Sequence, residues 1–67
     1  MNQRIVEAWL AIKQAISEVD VDVMKNAKGN SSAGVRARKV LRGLRNQLSE
    51  LVKTTIEEEK EVKDSEA

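Results

Sequence analysis

The sequence predicts an all-α protein, an antiparallel hairpin of two helices over about 3–28 and 31–60. Three observations predict it. The chain has no Pro, few Gly and 34% charged residues, a composition that favours helix. Two stretches carry apolar residues at alternating steps of four and three. Helix-stop and helix-start residues stand side by side between those stretches, at 28–32.

The first helix carries its stripe on Ile5, Trp9, Ile12, Ile16, Val19 and Val23, which is coiled-coil spacing. Trp9 is expected to pack in that seam rather than to stack on bases. Lys25 and Lys28 stand near the end of the helix, where the helix dipole favours cations.

The turn is Lys28-Gly29-Asn30-Ser31-Ser32. Gly29 suits the left-handed position after a helix end. Asn30, Ser31 or Ser32 can cap the next helix by accepting its free N–H groups. The second helix repeats the spacing on Ala37, Leu41, Leu44, Leu48, Leu51 and Thr55. The two stripes mirror each other. Val23 with Ala37, Val19 with Leu41, Ile16 with Leu44, Ile12 with Leu48, Trp9 with Leu51 and Ile5 with Thr55 are pairs whose numbers sum to 60. Residues i and 60 − i should therefore share a layer. In that register Glu57 and the acidic residues after it have nothing to pack against. The domain is thus expected to be 1–60, with a disordered acidic tail over 61–67.

A chain of 67 residues buries a small core and is marginal alone. It has no Cys and no His, so neither disulfides nor an ordinary zinc site can staple it. Self-association remains. The expected assembly is a homodimer of hairpins forming a four-helix bundle, or another coiled-coil stoichiometry. Ile5, Trp9, Ile12, Ile16, Val19, Val23, Leu41, Leu44, Leu48 and Leu51 are the expected core and oligomer residues.

The same absences bear on chemistry. The commonest general base and the thiol nucleophile are missing, and a thin hairpin has no deep pocket. No enzyme activity, cofactor, metal or small-molecule substrate is expected. No apolar run reaches the ~20 residues of a membrane span, and the N-terminus does not read as a signal peptide. The expected location is the cytoplasm.

Net charge is +1, but its distribution is uneven. Residues 1–24 carry two bases and four acids, residues 25–49 carry seven bases and no acid, and residues 50–67 carry three Lys and seven acids. A basic middle lies between acidic ends. Arg38, Arg42 and Arg45 follow a helical spacing and form a ridge beside the Leu stripe. Arg suits bidentate phosphate contacts. Lys28, Ser31, Arg36, Arg38, Lys39, Arg42 and Arg45 are the candidate nucleic-acid-binding residues. Glu18, Asp20 and Asp22 return across the hairpin and can neutralise part of the ridge. The acidic tail reads as a solubilising segment, or as a competitor for the basic tip. Gly43 lies in mid-helix, where Gly costs ~1 kcal/mol relative to Ala.

The segment Lys28-Gly29-Asn30-Ser31-Ser32-Ala33-Gly34-Val35-Arg36-Ala37-Arg38-Lys39 resembles the helical N-terminal region of the chlamydial linker-histone-like nucleoid proteins and their short bacterial and phage relatives. The likeness rests on Lys28, Gly29, Asn30, Arg36 and Arg38, with Ala33 in a small-residue slot, and covers about a dozen residues. It implies a nucleoid-associated, histone-like protein that binds and condenses DNA without strong sequence preference. Those proteins continue into a Lys- and Ala-rich tail, where this chain carries an acidic one. A second likeness, of size and layout only, is to Rop-like RNA-binding hairpins. A protein-interaction or assembly module is the alternative reading. DNA is favoured over RNA.

Overall fold

The computed structural model describes the backbone of residues 1–66 and the side chains of residues 1–60. Two helices, α1 (Gln3–Ala27) and α2 (Ser31–Glu66), pack against each other as an antiparallel hairpin. The acidic tail expected over 61–67 lies outside the described side chains. The molecule is a rod of 56 × 17 × 12 Å. Its length is that of α2, whose 36 residues at ~1.5 Å each span about 54 Å.

The turn forms as the sequence dictates. Gly29 has φ +105°, a conformation in which a Cβ is strained. Its N–H donates to the Asn26 carbonyl at 2.9 Å, and the Asn30 N–H donates to the Lys25 carbonyl at 3.0 Å. That pair of bonds is a Schellman motif, which satisfies carbonyls at the end of α1. Asn30 then caps α2, its Oδ1 accepting from the Ala33 N–H at 3.0 Å. Asn2 does the same for α1, accepting from the Ile5 N–H at 3.1 Å.

The core is narrower than the two stripes. Ile12, Val19, Ala33, Ala37 and Leu44 are buried, with Ala15, Val40 and Leu51 partly buried against them. Ile5 is half-buried. Trp9, Ile16, Val23, Leu41 and Leu48 were expected in the seam between the helices. Each instead keeps between 39% and 48% of its surface exposed. The reason is side-chain size. Ala8, Ala15, Ala33 and Ala37 occupy seam positions and fill little space, so the hairpin closes on the alanine side of each stripe. The larger apolar residues on the other side are left outside.

The register holds. Asn2 Nδ2 donates to Glu58 Oε2 at 2.9 Å, on the expected sum of 60. Arg4–Glu58 at 2.6 Å and Arg36–Asp22 at 3.1 Å fall two residues either side of it. The two contacts to Glu58 depart from the expectation that nothing packs from Glu57 onward. Glu58 continues the heptad line of Ala37, Leu44 and Leu51, so it points at α1. Its side chain is 12% exposed and closes the open end of the hairpin.

Candidate nucleic-acid interface

Which residues the hairpin brings together follows from the helical period. Arg38 and Arg45 are seven residues apart and Arg42 lies between them, so the three rise along one side of α2 over about 10 Å. A shallow surface cleft is lined by Arg38, Leu41, Arg42 and Arg45. The ridge therefore lies beside exposed Leu41, as the spacing predicts. All three Arg are exposed, and none has an ion-pair or hydrogen-bond partner among the described residues. Lys39 is exposed farther round the same helix.

Arg36 lies on the opposite flank. Its Nε and Nη2 donate to Asp22 at 3.1–3.3 Å, which ties the two helices near the tip. The sequence reading expected Glu18, Asp20 and Asp22 to return beside Lys39 and Arg42. Of these three acids, only Asp22 makes a cross-helix ion pair among the described residues, and it takes Arg36. The ridge proper keeps its charge. Arg36 is committed to Asp22, so it is less available to another anion.

Lys28 and Ser31 sit at the turn itself, both exposed. Lys28 is the C-cap of α1, and Ser31 is the first residue of α2. The tip is made compact by a residue that the sequence reading did not single out. Gly34 is buried, and a Cβ there would overlap the side-chain amide of Asn26. That amide donates to the Asn30 carbonyl at 3.3 Å. Gly34 thus lets α1 and α2 meet closely where the chain reverses. Spacing from Gly29 and Asn30 gives no sign of this, because the close approach exists only once the helices are side by side.

The site is a surface of cations on a helical rod, with no enclosing cavity around it. Among the described residues no cluster of carboxylates is placed to hold a metal, and no helix is long and apolar enough to cross a membrane. What such a surface can do is meet a polyanion. The family model for the histone H1-like protein Hc1 matches residues 7–61. The chain belongs to that family.

The Hc1-family match takes in most of α1, the turn, the Arg ridge and α2 as far as Glu61. It is far wider than the dozen residues around Gly29 and Asn30 that carry the resemblance in the sequence. It begins after Asn2 and Arg4, so the contacts that these residues make with Glu58 lie partly outside it. Comparison with curated proteins and with solved structures returns no match.

Proposed function

We propose that this Hc1-family hairpin is a nucleoid-associated, histone-like DNA-binding protein that contacts backbone phosphates without reading bases. The observation that carries the reading is the ridge of Arg38, Arg42 and Arg45, exposed and without a partner among the described residues, near the turn of a rod in which bases outnumber acids toward the turn and acids outnumber bases toward the open end. Lys28, Ser31 and Lys39 extend the surface to the turn. Arg36 contributes after exchanging Asp22 for a phosphate. Guanidinium groups on an exposed ridge give affinity through phosphate contacts and counterion release, with no sequence information. The protein works as a homodimer in the cytoplasm, on the nucleoid. Non-catalytic binding accounts for the site.

A titration of a short DNA duplex at several salt concentrations tests this. Three to five phosphate contacts give a slope of log K against log salt of roughly −3 to −5. Changing Arg38, Arg42 and Arg45 together to Gln should make that slope shallower by about 0.9 per Arg and abolish binding near physiological salt. Binding that ignores salt, or survives the triple change, overturns the reading. A matched RNA duplex in parallel decides between the two nucleic acids.

A further inference from the structure

Gly43 sits in the middle of α2 with nothing within 4 Å of where a Cβ would stand. Its φ is not positive, so neither close packing nor a left-handed backbone requires a glycine there. A glycine in a helix interior costs ~1 kcal/mol relative to Ala. The hairpin carries that cost in its most cationic stretch, since α2 has no acid between Ser31 and Ser49. The neighbours of Gly43 give the position a use. Lys39 and Asn46 lie four residues before it and three after, so they flank it on the helix surface. Both are exposed, and neither has an ion-pair or hydrogen-bond partner among the described residues. Asn46 also borders the shallow groove that Ala8 and Gln47 line. Lys39, Gly43 and Asn46 repeat the spacing of Arg38, Arg42 and Arg45, each one residue on. At ~3.6 residues per turn, the second row stands at nearly the same heights as the first, about 100° round the helix. On a helix ~10–12 Å across, the rows are about 8–9 Å apart at the surface, and farther apart at the tips of extended Lys and Arg.

We infer that α2 lies in the major groove of duplex DNA, with the Arg ridge on the phosphates of one strand and Lys39 and Asn46 on those of the other, which passes over Gly43. The inference rests on the DNA binding proposed above and adds the groove and the second contact. Groove width decides between the two grooves. The minor groove of B-DNA is ~6 Å wide, too narrow for both rows with a helix between them, whereas the major groove is ~12 Å wide and admits a helix. Lys39 is long and reaches a phosphate from a distance. Asn46 is short and reaches one only where the strand comes against the helix surface. A side chain at position 43 would stand between them and hold the strand off. Charge bounds the contact on that side. Arg36, seven residues before Gly43, extends it toward the turn once it leaves Asp22. Glu50, seven residues after Gly43, ends it, with the Lys53 ammonium 3.6 Å away.

In this placement α1, with Glu7, Glu18 and Asp20, stays behind α2 and outside the groove. The placement also selects the nucleic acid. The major groove of an A-form RNA duplex is deep and narrow, so it does not take a helix. Duplex DNA fits α2, and duplex RNA meets one row of cations at a time.

The test is a low-salt titration of the full chain with duplexes of one sequence. Duplex DNA whose cytosines carry glucosylated hydroxymethyl groups has a filled major groove and unchanged phosphates. It should bind several-fold more weakly than the plain duplex, and so should a matched RNA duplex. A minor-groove-binding polyamide, bound beforehand, should change little. Gly43→Ala should weaken DNA binding several-fold while raising the melting temperature of the protein, and Gly43→Leu should weaken binding further. A substitution that merely disturbed the fold would lower both. Lys39→Gln should make the slope of log K against log salt shallower by about 0.9. If the unchanged chain binds no DNA, or binds it without regard to salt, the DNA-binding reading and this inference fall together. If it binds with the expected salt dependence, but Gly43→Ala, the glucosylated duplex or the RNA duplex binds as tightly, the inference alone is overturned and the contact reduces to the ridge on one strand.

Discussion

At the scale of single residues, the hairpin depends on what three positions lack or accept. Gly29 lacks a Cβ where φ is positive, Gly34 lacks one where Asn26 presses in, and Asn30 supplies the oxygen that starts α2. Gly43 has no such duty, because a Cβ there meets nothing within 4 Å. Two substitutions of the same kind should thus diverge. Gly43→Ala should stabilise by about 1 kcal/mol, the difference in helix propensity. Gly34→Ala should lose that gain, since the Asn26 amide must leave the Asn30 carbonyl. Thermal melts of the two variants side by side measure the contrast. Gly29 and Asn30 are legible in the sequence because their work is local. Gly34 is not, because its neighbour Asn26 belongs to the other helix.

At the scale of elements, the two helices, their direction and their register are readable from a period and a mirror symmetry. The division of each stripe between the inside and the outside is not. A pattern of threes and fours marks which side of a helix is apolar, but alanines such as Ala8 and Ala15 count little in such a pattern. In three dimensions they decide the seam, because small residues let helices close together. Replacing one of them should be costly. Ala37→Leu puts a large side chain into a position that is 3% exposed, and should destabilise by about 1–3 kcal/mol. Leu41→Ala, at a position 45% exposed, should cost the folded hairpin much less and act mainly on self-association. Glu58 shows the same limit from the other side. An acid in an acidic run looks like tail, and its heptad position says otherwise. Glu58→Ala should lose up to ~1 kcal/mol, discounted because Arg4 is largely exposed, while exposed Glu57→Ala should lose almost nothing in urea melts.

At the scale of the whole molecule, charge is sorted along the rod, basic near the turn and acidic toward the open end. That sorting was visible in the sequence, and with it the candidate site. Which cations stay free was not visible, because Asp22 could have reached Lys39 or Arg42 as easily on paper as Arg36. Residues 61–67 carry a net two negative charges. Removing them should raise affinity for DNA at low salt with little change in helicity, and the gain should vanish as salt rises, since screening weakens exposed charges at a distance. A truncated chain that binds no better in a low-salt titration would show that the tail does not compete for the ridge.

The pairing of i with 60 − i also sets an order of folding. Each layer farther from Asn30 closes a longer loop. Arg36 and Asp22 are 14 residues apart, whereas Asn2 and Glu58 are 56 apart. Loop-closure entropy rises by about 0.6 kcal/mol per doubling, so the outer contact costs roughly 1.2 kcal/mol more to form than the inner one. The chain should therefore zip from the turn outwards. In stopped-flow measurements, substitutions at Asn30 or Gly34 should slow folding, and Glu58→Ala should leave folding almost unchanged and speed unfolding.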